Sequence, residues 1–157
     1  MTTELELSKI DIPYGILHDQ KLQKVICHDN TMRFTFDVQM FPDDYAEDIM
    51  QKFSPYTHCD MVVEMVKEPF NYFLLKTAVD RHDKYQGRSL SRTDFLDVAN
   101  HADEMTFLSC GVDAACGEFH VLFGMHFCHP KGVYKKYGKY GMCRVELNAE
   151  RVQWKWY

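Results

Sequence analysis

Between Thr31 and Met40, the residues Met32, Phe34, Phe36, Val38 and Met40 alternate with Thr31, Arg33, Thr35, Asp37 and Gln39. Successive side chains of a strand point to opposite faces, so a strict period of two reads as a β-strand with one apolar and one polar side. The pattern returns at Phe119, Val121, Phe123, Met125 and Phe127, and again at Val152, Trp154 and Trp156. Apolar faces that recur in this way must share one core. The chain is therefore built around antiparallel sheet.

Length sets how much of that core one chain can bury. At 157 residues, folding removes roughly 70% of the unfolded surface from water, enough for a single domain without staples. Hydrophobic residues make up 46% of the chain and aromatics 14%, which excludes disordered and collagen-like classes. No fixed-period repeat, low-complexity tract or Gly/Ser linker divides the chain, so residues 1–157 are expected to form one β-rich domain.

The formal net charge of -5 disfavours a surface devoted to neutralising phosphates, so nucleic acid is not the expected partner. The first residues are acidic where an export signal needs basic ones, and no apolar run of about 18 residues spans a membrane. These features predict a cytosolic protein with no membrane role. The six cysteines are then expected to be reduced thiols, most of them small buried hydrophobes in or beside strands.

Along the chain, a strand from Leu22 to His28, the turn Asp29-Asn30 and the alternating strand from Thr31 read as a β-hairpin after an irregular start. Pro42-Asp43-Asp44 breaks the strand and offers carboxylates to a short helix bearing Tyr45, Ile49 and Phe53 on one face. Met61, Val63 and Met65, a turn at Glu68-Pro69 and the apolar run from Tyr72 suggest a second hairpin. Arg81 to Ser91 is polar and reads as a loop. Ser91 with Asp94 then resembles a capping box before a helix bearing Phe95, Val98, Ala99 and Ala102. Strands at Met105 to Cys110 and Glu118 to Cys128 flank a Gly111 to Gly117 connection. A last hairpin would join Met142 to Leu147 with Arg151 to Tyr157. The expected fold is mainly β (α+β): a curved antiparallel sheet, roll or partly closed sandwich of about eight strands, with one or two helices packed on it.

No motif assigns a reaction. His126, Cys128 and His129, with Cys110, Cys116 and His120 nearby, supply metal-type ligands, but no second clean pair completes a tetrahedral set, so no metal is expected. In Cys27-His28, His58-Cys59 and Cys128-His129 the neighbours of an extended chain face opposite ways, which separates thiol from imidazole. Asp43, Asp44, Glu47 and Asp48 lack the ligand spacing and central glycine of a calcium loop. His18-Asp19 fits a turn or cap better than a proton-transfer pair. An enzyme using His120, His126 and a carboxylate is the weakest reading, because nothing fixes the partner residues. No catalytic residue and no cofactor is assigned.

The segment from Val133 to Gly141 interleaves Tyr134, Tyr137 and Tyr140 with Lys135, Lys136 and Lys139. Cations beside rings suit a phosphate-bearing strand or an acidic protein partner, which makes these six residues the candidate partner-binding set. The competing reading is a flexible connection whose tyrosines fold back on the sheet while its lysines stay in water.

Leu17-His18-Asp19, followed by a strand, a polar turn and the alternating Thr31 to Asp37, resembles the opening of small β-rich bacterial proteins, among them immunity proteins of polymorphic toxin systems. The likeness covers about 25 residues of the N-terminal hairpin. It implies a non-enzymatic binding protein that occludes a toxin, and it carries over no catalytic residue. The first functional expectation is thus a cytosolic interaction protein with a protein partner. The alternative is a small-molecule-binding protein whose Met and Phe faces line an apolar cavity. An unpaired sheet edge would also invite a second copy, so a homodimer is a further expectation.

Overall fold

The computed structural model describes residues 2–5, 15–65, 71–79, 85–113 and 118–157. The strands are β1 (Thr2–Leu5), β2 (Leu22–His28), β3 (Thr31–Asp37), β4 (His58–Met65), β5 (Asn71–Val79), β6 (Tyr85–Leu90), β7 (Glu104–Val112), β8 (Phe119–His126), β9 (Met142–Leu147) and β10 (Ala149–Trp156). Two α-helices, α1 (Glu47–Phe53) and α2 (Arg92–His101), and two 3₁₀ helices, Pro42–Asp44 and Gly132–Tyr137, complete the described elements. The strands form two five-stranded sheets, in the orders β1-β10-β4-β3-β2 and β6-β5-β9-β8-β7. Every pairing is antiparallel. The mainly β class expected from the alternation is what the chain adopts.

Alternation builds the core directly. Met32, Phe34 and Phe36 of β3 are fully buried, and the two phenylalanines meet Phe107 and Phe123 of the other sheet. Phe34 stacks on Phe123 at 5.7 Å, and Phe36 meets Phe107 edge-on at 5.6 Å. Trp154 meets Phe107 edge-on at 6.4 Å. Truncating any one of these rings would cost about 3–5 kcal/mol. The two sheets are joined at one corner, where Lys21 bridges Thr106. There the Asp19 N–H donates to the Phe107 carbonyl (2.8 Å) and the Phe107 N–H to the Gln20 carbonyl (3.0 Å).

Several expectations are corrected. β4 and β5 do not form a hairpin, nor do β9 and β10, because in each case the consecutive strands lie in different sheets. At Asn148 the chain turns a corner between the sheets, with Leu147 and Ala149 both buried. β9 and β10 still alternate, whereas β4 is buried on both faces from Cys59 to Val63, and what differs from the expectation is the pairing partner. Tyr85–Leu90, read as loop, is the edge strand β6. Its residues 86–89 are exposed, and the polar pattern follows from that. Thr2–Leu5, in the irregular start, pairs with β10. The Glu68-Pro69 turn, residues 81–84 and residues 114–117, with Cys116, lie outside the described residues.

The β2–β3 hairpin holds as expected, with Asp29 in its turn at φ 50°. β3 stops at Asp37 rather than Met40. The Gln20 carboxamide takes both backbone groups of Gln39, donating to its carbonyl (2.7 Å) and accepting from its N–H (2.9 Å). Asn100 of α2 treats Val25 in the same way, accepting from its N–H (2.9 Å) and donating to its carbonyl (3.0 Å). A carboxamide that mimics a neighbouring strand blunts the open edge of β2. α2 begins as predicted, with the Ser91 hydroxyl accepting from the Asp94 N–H at 3.1 Å. It buries Phe95, Val98 and Ala99, and Phe95 stacks on Tyr72 at 4.6 Å. Before α1, Asp43 and Asp44 form their own 3₁₀ turn, and the N-cap is Ala46 without a side-chain bond.

Candidate functional site

The Tyr/Lys segment is ordered by its own periodicity. A 3₁₀ helix has three residues per turn, so side chains at i and i+3 lie above one another. Tyr134, Tyr137 and Tyr140 are spaced by three, and the Tyr140 N–H donating to the Tyr137 carbonyl at 3.0 Å extends the 3₁₀ geometry past Tyr137. All three tyrosines therefore fall on one side. Tyr137 is 3% exposed and Tyr140 8%, whereas Lys135, Lys136 and Lys139 are exposed.

The buried side is fixed by rings and one hydrogen bond. His101 stacks on Tyr134 (5.2 Å), Tyr134 on Phe127 (5.8 Å) and Phe127 on Tyr137 (6.3 Å). The Tyr134 hydroxyl donates to Asp97 at 3.0 Å, and Asp97 also pairs with His101 at 3.1 Å. Cations cover the far end of this stack, with Lys136 4.9 Å and Arg88 5.7 Å from the Tyr137 ring centre. The ring faces attract those cations electrostatically. The result is a shelf anchored on its tyrosine side, whose outward groups are lysines. Residues 130–145 hold five of the 18 cations and none of the 23 carboxylates of a chain whose net charge is -5.

A cleft of about 510 Å³ opens beside the shelf, between the end of α2 and the start of the 3₁₀ helix. His101, Phe127, Cys128, Lys131, Val133 and Tyr134 are among its walls. Val133 is 66% exposed, the most of any large hydrophobic residue described. Asp103 lies there too, already accepting the Cys128 N–H at 2.5 Å.

The outer face of the β1-β10-β4-β3-β2 sheet carries a second polar constellation. Asp60 is only 7% exposed. Its Oδ1 accepts from Thr35 Oγ1 (2.7 Å) and from the Tyr157 hydroxyl (3.2 Å), and Arg33 Nε lies 3.8 Å from Oδ2. Burial, and then the negative Asp60, push the Tyr157 phenol above its ordinary pKa. Alongside, Thr57 Oγ1 is 2.8 Å from His58 Nδ1, and His58 Nε2 is 3.3 Å from Asp37 Oδ1. Gln23 donates to the other Asp37 oxygen, and the His58 ring stacks on Tyr157 at 5.5 Å.

Hydroxyl, imidazole and carboxylate thus stand in line, as nucleophilic catalysis requires. However, the backbone N–H groups of Thr57 and His58 both donate to the Tyr157 carbonyl (3.1 and 2.9 Å). Those donors are committed, and they offer nothing to a developing oxyanion. The arrangement locks the last strand in register.

The remaining sequence candidates are spread apart. His120 and His126 are six residues apart on β8, roughly 20 Å along the strand. His120 packs over Gly111, and burial, reinforced by Arg144, lowers its pKa. Among the described residues, no group of three or more His, Cys, Asp or Glu is placed to hold a metal ion. Cys59 and Cys143 are buried and Cys128 is exposed. Burial pushes the Cys110 and Cys143 thiols up to about 12. His18 and Asp19 pair at 3.0 Å on an exposed turn, with Asp19 at φ 63°.

Sequence reasoning missed the contributions of Arg88, His101, Lys131 and Val133 to the shelf and its cleft, and the network around Asp60. The spacing of the tyrosines by three was the available signal for the shelf. No family model, curated protein or solved structure matches the chain. No described helix is long and apolar enough to cross a membrane.

Proposed function

We propose that this chain is a non-enzymatic interaction protein of the cytoplasm that docks an acidic protein partner on the lysine side of the 3₁₀ helix. Blocking of a toxin, the immunity role implied by the resemblance of the N-terminal hairpin, is the biological form of that reading. One observation carries it: Lys135, Lys136 and Lys139 face outward from a shelf whose tyrosine side is planted in the protein. Three like charges presented on one side of an ordered helix attract carboxylates together, which favours encounter with an acidic partner. The sheet-face polar groups bond one another, which makes them poorer candidates for a partner. The apolar-carrier alternative would need Met and Phe side chains lining open space. Phe34, Phe36, Phe107, Phe123 and Trp154 instead contact one another.

The test is titration with fluorescein-labelled poly-glutamate at low and high salt. The wild-type protein should bind it in a salt-sensitive way, and Lys135→Glu/Lys136→Glu/Lys139→Glu should lose at least tenfold in affinity. Equal binding by the two proteins would remove the basis of the proposal.

A further inference from the structure

We infer that the partner's acidic segment also carries a bulky apolar side chain, aromatic or branched aliphatic, and that this side chain enters the cleft beside Val133. The inference rests on the lysine-side reading and deepens it. Three features point to such an anchor. The cleft holds about 510 Å³ and opens widely to solvent, so a side chain of a docked partner can reach it. One wall is the stack of His101, Tyr134 and Phe127, whose rings hold one another in place. Val133, 66% exposed on the rim, gives apolar surface that only an apolar group would remove from water.

Charge decides what surrounds the anchor. Lys131 lines the cleft, and Lys135 and Lys136 follow on the exposed side of the same 3₁₀ helix. Asp97 and Asp103, the carboxylates nearby, already accept hydrogen bonds from Tyr134 and from the Cys128 backbone. An anchor flanked by Asp or Glu would meet exposed cations and avoid unpaired carboxylates. Single-stranded nucleic acid fits less well, because its bases bind by stacking on open ring faces. Here Tyr137 and Tyr140 are buried, and Tyr134 stacks between His101 and Phe127.

Three labelled probes of matched charge test this: an acidic peptide with a central Trp, the same peptide with Ala in its place, and oligothymidylate. The Trp peptide should bind the wild-type protein about tenfold more tightly than the Ala peptide, a difference of about 1.4 kcal/mol. Val133→Ser, which removes apolar surface without adding charge, should abolish that preference while leaving the Ala peptide's affinity within about twofold. Because Cys128 lines the cleft and is exposed, the bound Trp peptide should also slow its reaction with a thiol reagent, and Cys128→Ser should remove the protected phase. This second readout needs no cleft variant to fold. Equal affinity for the two peptides, or no protection of Cys128, overturns the anchor and leaves the lysine-side reading standing. Failure of both peptides to bind overturns both. Tighter binding of oligothymidylate than of either peptide also rejects the anchor, in favour of a nucleic acid.

Discussion

The outer face around Asp60 and the lysine side of the 3₁₀ helix are both polar, but they dispose of their polarity in opposite ways. Around Asp60, the Thr35 hydroxyl, the Tyr157 phenol and the Arg33 guanidinium converge on one carboxylate, while Thr57, His58, Asp37 and Gln23 form a chain beside it. On the shelf, the tyrosines take the hydrogen bond and the buried ring contacts, while the lysines stay exposed, Lys136 and Lys139 lying over the Tyr137 and Tyr140 rings and none of the three paired with a carboxylate among the described residues. A polar group that satisfies a neighbour contributes to stability, and its removal strands that neighbour. A polar group satisfied by water can be exchanged for a partner at little structural cost. A polar residue on a sheet or helix therefore says nothing about function until its bonding partner is known.

Substitutions can break this comparison, and they should do so in a graded order. Tyr137→Ala removes a ring held between Phe127 and two cations, and should cost about 3–5 kcal/mol of stability in urea denaturation. A loss below about 1 kcal/mol would mean that the shelf is not planted as described.

Asp60→Ala leaves the Thr35 hydroxyl and the Tyr157 phenol without their acceptor and should cost about 2 kcal/mol. The same network predicts alkaline behaviour. A phenol whose pKa is raised by folding favours the folded state at pH values below the unfolded pKa of about 10, and that stability is lost as pH rises from there through the folded pKa. Tyr157→Phe should therefore flatten the stability profile above about pH 10, and an unchanged profile would place the phenol outside the network.

The smallest effect belongs to the lysines. Reversing Lys135, Lys136 and Lys139 together to Glu should shift stability by only about 1 kcal/mol, because exposed charges contribute little each and the contacts of Lys136 and Lys139 with the Tyr137 and Tyr140 rings are solvent-exposed. A larger loss would make them structural and erase the difference between the two regions.

The elements most legible in the sequence were those whose cause is local. Strict alternation gave β3 and β8, Asp29-Asn30 gave the turn between β2 and β3, and Ser91 with Asp94 gave the start of α2. β6 escaped because an edge strand has little to bury, so Gln86, Gly87, Arg88 and Ser89 resemble a loop. The Tyr/Lys segment was legible in part. Its composition marked it, and the tyrosines do fold back, but the repeat of three that orders it was not recognised as a 3₁₀ helix. Arg88, His101 and Lys131 gave no sign of belonging together, since they come from β6, α2 and the start of the 3₁₀ helix.

By itself, the sequence determined which side of β3, β8 and β10 faces the core, because a period of two leaves each side chain only two faces and burial of the apolar one is worth several kcal/mol per ring. The tertiary structure decided which strands lie beside one another. The residues that end β9 and begin β10 alternate as a hairpin would, yet at Asn148 the chain passes from one sheet to the other. Either arrangement satisfies the local pattern. What selects between them is how the aromatic faces of both sheets pack against each other, and that depends on residues far apart in the chain.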